Sequence, residues 1–395
     1  MDITETYTPL PEITGRISRF QKALAGAGLD AALLMQSADL FYYAGTTQQA
    51  YLHVPADGDP VLMVRKDADR ARVESPLARI VEIDRLQEIP DIIRTAPGVL
   101  GLEMDVISAE MYLKFLDLLP GAECVDVSGL VRLQRAVKSA YEVDRIRQAA
   151  VLADRLAAFV PQVLAAGVSE LEFSGRVEAE ARRLGHQGLI RMRLWGADMF
   201  YGHIMAGDSA GVLSSLSSPT GGPGMSPAFP QGGGLKPIRP GEPVLVDIAF
   251  AYQGYLADHT RIYAIDGLSD DLLKAHQAML DVQKAVMAAA VPGTPAGKLY
   301  DLALERATVL GYEKNFMGVG KKRIRFVGHG VGTEMDEFPF LAKGQTLALA
   351  ENMIIALEPK LIFPGRGVVG IENTHRVTKD GLESLTVFPE EIFIV

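Results

Sequence analysis

Residues 243–261 read PVLVDIAFAYQGYLADHTR. An apolar run closes on Asp247, and Asp258 follows eleven residues later in GYLADHTR. Taken alone, an Asp after such a run is most often a cap or turn residue. Its weight comes from further along the chain, where His329 lies in FVGHGVG, Glu358 closes IIALEP and Glu372 sits in VVGIEN. GHG by itself is equally a tight turn with an incidental imidazole. Taken together, the five positions stand in strand-like or turn-like settings that aim their side chains inward. Four carboxylates and one imidazole are what two divalent cations a few ångströms apart require. Hard oxygens carry most of the charge and can bridge, one nitrogen tunes the softer side, and water completes each shell. The chemistry such a set implies is a metal-activated hydroxide attacking a polarised carbonyl.

The rest of the chain sets limits. Its 395 residues exceed what one core usually supports, so two domains are expected, 1–135 and 136–395. With 39 basic against 49 acidic residues the net charge is −10, which argues against nucleic acid or an anionic membrane as the main partner and favours a small peptide or small-molecule substrate. The opening MDITETYTPLPEIT has neither a basic nor an apolar leader region, and no later run stays uncharged for the roughly 18–20 residues of a membrane span. A cytoplasmic location is expected. Cys124 is the only cysteine, so there is no intrachain disulfide and no thiolate cage. Any metal must sit on oxygen and nitrogen.

Ahead of the boundary, which falls within about 128–140, the chain alternates. A helix over Ile13–Ala27 ends at Gly28, and DAALLMQ, VLMVR, IVEID, VLGLE and ECVDV read as strands separated by segments such as SAEMYLKFLDLLP with helical spacing. This predicts an α/β domain, a mixed sheet covered by helices. Long helices follow, Ala140–Ala166 stopped by Gly167 and Ser169–Gly185 opened by a Ser169/Glu172 capping box. Residues 217–243 hold too many Gly and Pro for helix or strand, and a long loop just before Asp247 is expected to line a site. A helix pair joined by PGTP and then short strands from Met353 complete an α+β pattern.

VDIAFAYQGYLADHTR, VPGTPAGKLYDLALERATVLGY, GHGVG, ALEPKL and GIENTHRVTKDG, in that order, resemble the pita-bread metallopeptidases, the superfamily of aminopeptidase P, prolidase, methionine aminopeptidase and the creatinases. The likeness spans roughly residues 140–395, and the first half is similar to the amino-terminal domain of the aminopeptidase P, prolidase and creatinase branch. The resemblance implies a creatinase-type amino-terminal α/β domain ahead of a pita-bread catalytic domain, an Xaa-Pro peptidase activity and a homodimer. It also implies two divalent ions, Mn²⁺ or Co²⁺ foremost, with Zn²⁺ and Fe²⁺ as alternatives. Carried over position by position, Asp247 holds one ion, Asp258 and Glu372 bridge, His329 and Glu358 hold the other, and Glu358 relays a proton to the leaving amine.

Three places depart from that pattern. Where a Pro-His pair usually precedes the first metal Asp by some seventeen residues, this chain has SPAFPQGGG. The HExP tetrapeptide after the GHG turn is DEFP here, which puts Asp336 in the histidine's place, and the residue four before His329 is Arg325. An oxyanion donor is worth roughly 3–4 kcal/mol of barrier, so either something substitutes or the substrate differs. His203 in FYGHIMAG is the nearest upstream imidazole and is a candidate catalytic and substrate-binding group, although a lone histidine in an apolar strand is more often only hydrogen-bonded. Asp336 and Arg325 are further substrate-binding candidates. Arg191 and Arg193 offer cations for a substrate carboxylate, with surface solvation as the plain alternative. Trp195 and Tyr201 suit a pocket wall or the core, and His259 should point away from the metals on an alternating strand. Three functions follow. They are an Xaa-Pro hydrolase, a non-peptidase that cleaves C–N or C–S bonds in a small metabolite, and a silent binding protein. The intact ligand set makes the first the leading reading and opposes the third, while the changed imidazoles speak for the second as its alternative.

Overall fold

A computed structural model describes residues 3–93, 97–194, 196–197 and 199–395. The chain forms two compact units, one of Met1–Arg135 with Arg193–Gly196, the other of Ala136–Met192 with Ala197–Val395.

The first unit is built on a six-stranded sheet. Its strands are β1 (Ala31–Leu34), β2 (Ala50–Pro55), β3 (Val61–Val64), β4 (Ile80–Glu82), β5 (Val99–Leu102) and β6 (Glu123–Asp126), in the order β4-β3-β2-β1-β5-β6. Pairs β1/β2 and β2/β3 are antiparallel and the remainder parallel, so the sheet is mixed. The first helix runs Leu10–Gly26, starting at a proline turn and burying Ile13, Ile17, Phe20 and Leu24, the three-and-four spacing of one helical face. Strand β2 was not foreseen. Its AYLHVP carries a histidine and a terminal proline, yet it lies inside the sheet with His53 only 8% exposed. Burial pushes the His53 pKa down to about 4.

In the second unit the helix from Ala140 ends at Phe159 rather than Ala166, because Pro161 has no N–H to continue the ladder. It opens on a capping box of Ser139 with Glu142. The next helix, Glu170–Arg183, is capped by Ser169 as expected, but Glu172 pairs with Arg176 instead of reaching back. These helices cover one face of a sheet of β7 (Gly202–Ala206), β8 (Val244–Tyr252), β9 (Tyr255–Ala264) and β17 (Phe393–Ile394), ordered β17-β9-β8-β7. Leu156, Phe173 and Val177 pack there with Ile248, Phe250 and Tyr263. A second sheet has the order β11-β10-β12-β15-β16, from β10 (Phe326–Gly330), β11 (Glu337–Ala342), β12 (Ile354–Leu357), β15 (Asn373–Thr378) and β16 (Gly381–Ser384). Between β12 and β15 lies the two-stranded ribbon β13 (Lys360–Phe363) and β14 (Gly367–Gly370). The helix pair Asp270–Ala289 and Ala296–Val309 supplies Met279, Val286, Leu299 and Ala303 to a core with Val327, Ile355, Leu357 and Leu361.

Residues 212–243 form neither helix nor ladder strand. Their place is fixed by the fully buried Glu170, whose carboxylate accepts from Ala206 N–H of β7 at 2.8 Å and from Gly234 N–H of the loop at 2.9 Å. Gly233 permits the approach, since a Cβ there would lie 2.6 Å from the Ile204 carbonyl oxygen and 2.7 Å from Glu170 Cβ. Among the described residues no helix is long and apolar enough to cross a membrane.

Candidate metal centre

The eleven-residue spacing of Asp247 and Asp258 resolves into hairpin geometry. Strands β8 and β9 pair Tyr252 with Tyr255, so the turn is the two residues Gln253 and Gly254, at φ 51° and 85°. Positive φ at both centres is what a tight twisted hairpin requires. Asp247 then stands opposite Thr260, two residues from Asp258, and side chains two apart share a face. Both carboxylates therefore turn away from the helices. His259 takes the other face, 3.6 Å from Asp154 and away from the cluster, as alternation demands.

The second sheet brings up the rest. His329 is the fourth residue of β10, Glu358 follows β12 directly, and Glu372 immediately precedes β15, where a bridge pairs it with Thr260 of β9. His329 Nε2 lies 3.7 Å from Asp258 Oδ2, 3.7 Å from Glu358 Oε1 and 4.0 Å from Glu372 Oε1. Its Nδ1 lies 3.2 Å from the Gly330 carbonyl oxygen, an arrangement that places the proton on Nδ1 and turns the Nε2 lone pair toward the acids. Ligand atoms of Asp258, His329 and Glu372 all fall within 4.8 Å of one another, a spacing that admits a divalent cation between them.

The other side of the cluster holds a residue that motif reading passed over. Lys360 opens β13, is 1% exposed, and donates from Nζ to Asp247 Oδ2 at 3.0 Å, Glu358 Oε2 at 2.9 Å and Glu372 Oε2 at 2.7 Å. Burial alone would lower its pKa, but Asp247, Glu358 and Glu372 outweigh burial and hold it well above the usual value. The residues that straddle both sides are thus Glu358 and Glu372, while Asp258 faces His329 and accepts the His259 N–H on its other oxygen at 3.0 Å. Burial and the neighbouring Asp247 raise Asp258 to about 6. The donors on the His329 side fit a divalent cation. Those around Lys360 are already gathered on an ammonium and, as placed, do not fit a second one. The signal in the sequence was a lone charge inside the apolar run ALEPKLIF, two residues after a ligand candidate.

The substitute groups are placed unevenly. His203, 2% exposed on β7 and paired across the strands with Asp247, lies 3.1 Å from Gln231 Oε1 by Nε2 and 3.1 Å from Thr220 Oγ1 by Nδ1. Thr220 Oγ1 in turn donates to Asp247 Oδ2 at 3.5 Å. Burial moves the His203 pKa down. His203 thus reaches the cluster through Thr220, and Gln231 comes from the loop segment that lacks the family histidine. Asp336 is half-buried in the turn before β11, and Arg325 is exposed just ahead of β10. Arg191 is half-buried, with Glu334 as its charged neighbour. Arg193 does not serve a substrate carboxylate, because its guanidinium is 2.6 Å from both Asp39 and Asp105 in the first unit. Tyr201 stacks on His186 at 4.4 Å between ring centroids, and Trp195 lies outside the described residues.

Comparison with known proteins gives the family of both parts of the chain. Residues 144–379 match metallopeptidase family M24 and residues 16–137 match the creatinase/prolidase N-terminal domain. The Xaa-Pro dipeptidase of Pyrococcus furiosus is 25% identical over 381 residues, covering 95% of this chain and 99% of that protein. A probable dipeptidase of Mycobacterium tuberculosis, PepE, is 26% identical, covering 96% of each. Among solved structures, the Xaa-Pro dipeptidase from Bacillus anthracis matches with a TM-score of 0.83 at 25% identity, covering 97% of this chain and 100% of that one. The X-Pro aminopeptidase from Thermotoga maritima shares the fold, with a TM-score of 0.80 at 22% identity over 96% and 99% of the two chains. With more than half of its length in the catalytic match and the hairpin, GHG turn and paired glutamates in their expected order, the chain belongs to metallopeptidase family M24, a pita-bread catalytic domain behind a creatinase/prolidase amino-terminal domain.

Proposed function

We propose that this protein is a metal-dependent hydrolase of the Xaa-Pro peptidase class, acting on dipeptides or short peptides with proline in second place. The observation that carries the reading is the convergence of His329 Nε2 on Asp258, Glu358 and Glu372 within 3.7–4.0 Å, in a chain of a metallopeptidase family. Such a family implies divalent metal ions, and the mixed oxygen and nitrogen donors suit Mn²⁺ or Co²⁺ first, then Zn²⁺ or Fe²⁺. A bound divalent cation supplies Lewis acidity to the scissile carbonyl and lowers the pKa of a water.

The chain's own groups do the rest. In this reading Glu358 takes a proton from the nucleophile and passes it to the leaving amine, supported by its Oε2 being held by Lys360 at 2.9 Å and its Oε1 lying 3.7 Å from His329. Asp336 and Arg325 bear opposite charges and are assigned to the two ends of a zwitterionic dipeptide. His203 acts by holding Gln231 and Thr220. A homodimer in the cytoplasm completes the proposal, with the size checked by light scattering.

The test is a panel of Xaa-Pro dipeptides and longer Xaa-Pro peptides, assayed after chelation and return of Mn²⁺ or Co²⁺. Metal-dependent release of an amino acid is expected. Metal binding with no cleavage across the panel would move the assignment to C–N or C–S cleavage of a small metabolite, the reading that Gln231 and Asp336 favour because neither supplies the family's imidazole. Absence of metal binding would end both.

A further inference from the structure

We propose that the Lys360 ammonium takes the place of one of the two cations, so that this protein's centre holds a single divalent ion between Asp258, His329, Glu358 and Glu372. The proposal deepens the hydrolase reading and rests on this cluster being its metal centre. Three carboxylates that would cradle a second ion each accept a hydrogen bond from one nitrogen, at 2.7, 2.9 and 3.0 Å. A divalent cation that bound the same three oxygens from the side the nitrogen occupies, at about 2.0–2.2 Å from each, would overlap that nitrogen.

The lysine is built into this position. Its backbone is held on both sides, by pairing with Gly370 across the ribbon and by the Met317 N–H, which donates to the Lys360 carbonyl at 3.0 Å. Gly370 makes room, since a Cβ there would lie 2.4 Å from the Pro359 carbonyl oxygen and 2.7 Å from Lys360 Cα. Thr260 Oγ1 donates at 2.8 Å to the same Glu372 oxygen that takes the ammonium, and Thr220 donates at 3.5 Å to the same Asp247 oxygen. Lys360 and these two hydroxyls satisfy the oxygens on that side, while Glu358 Oε1, Glu372 Oε1 and Asp258 Oδ2 all face His329.

Charge agrees with geometry. Four carboxylates, one ammonium and one divalent cation leave one net negative charge. A second divalent ion beside the retained ammonium would turn these side chains and ions to a net positive charge. The lysine therefore does part of an ion's work permanently, orienting Glu358 and Glu372 without a metal that chelators or dilution can remove.

The experiment counts ions. Metal-stripped protein is dialysed against excess Mn²⁺, washed and measured by inductively coupled plasma mass spectrometry, with electron paramagnetic resonance of the same samples. One ion per chain with an uncoupled manganese spectrum is expected for the unaltered protein. Lys360→Ala, and Lys360→Met, which keeps the buried stem without the charge, should differ: two ions and a spin-coupled pair in the first, a changed affinity but one ion in the second. Two ions in the unaltered protein overturn the proposal, as does a count that stays at one in Lys360→Ala, or no ion at all. If neither variant folds, the count in the unaltered protein still decides. One ion with no peptide cleavage retains this inference and removes the peptidase reading, whereas two ions with cleavage does the reverse.

Discussion

Glu372 shows how much one side chain is asked to do at this centre. Its Oε2 is occupied by Lys360 at 2.7 Å and Thr260 at 2.8 Å, which leaves Oε1 alone to face His329. In Glu372→Gln one of these positions must present an NH₂ to a cation. Metal occupancy should be lost and kcat/KM should fall by at least about 100-fold, with the far-ultraviolet circular dichroism unchanged. Asp258→Asn is expected to behave alike, and full activity in either variant would contradict the assignment. His203 predicts a different pattern. It touches Gln231 and Thr220 and makes no direct bond to the cluster, so His203→Ala should leave the bound metal in place and raise KM by about tenfold. Loss of the metal in that variant would mean that His203 belongs to the centre itself.

At the scale of elements, the loop 212–243 behaves as part of the site because one buried acid anchors it. Glu170→Ala strands the Ala206 and Gly234 N–H groups, at roughly 1–3 kcal/mol for each donor left without a partner. The thermal midpoint should drop, and limited proteolysis should cut first within 212–243; an unchanged digestion pattern would show that the loop is held elsewhere. Elements also separate what could be read from the sequence from what could not. Asp247 and Asp258 were legible as a set because an apolar run and an eleven-residue gap between acids are local facts, whereas the hairpin that turns at Gln253 and Gly254 is a finding of the structure. The Gly- and Pro-rich loop was legible for the same reason. Strand β2 escaped because the histidine and terminal proline of AYLHVP break its apolar pattern, although its partner β3 begins only a short connection later. The helix from Ala140 reads too long in sequence because Gly167 is the conspicuous stop, whereas Pro161 ends the ladder first. Lys360 lay in plain view within ALEPKLIF, but what it touches depends on Asp247, more than a hundred residues away in sequence. Ligand order follows from motif; the neighbour that changes the ion count follows only from packing.

For the molecule as a whole, acid should be more damaging than its carboxylates suggest. His53 in the first unit and His186 in the second are both 8% exposed or less and are pushed by burial to about 4. His186 is held neutral by geometry as well, with its Nδ1 accepting the Gly188 N–H at 2.8 Å and its Nε2 3.0 Å from the Ala249 carbonyl oxygen. Because the folded pKa lies below the unfolded value near 6.5, the unfolded chain binds more protons between those limits. Their contribution is complete above about 6.5 and is lost as the pH falls toward 4, at most about 3 kcal/mol for each ring. Thermal midpoints taken between pH 7.5 and 4.5 should fall, and His53→Leu should flatten the fall, since His53 Nε2 has no hydrogen-bond partner to lose. A slope unchanged in that variant would place the acid sensitivity elsewhere. The first unit also reclaims Arg193–Gly196 after the chain has left it at Arg135. Asp39, fully buried, is 2.6 Å from Arg135 and 2.6 Å from Arg193, so the two guanidiniums that neutralise it come from distant stretches of chain. Modular transplants of this amino-terminal half, made by the usual single cut, would therefore carry an acid stripped of one of its counterions, and a fusion that borrows the module must borrow Arg193 with it.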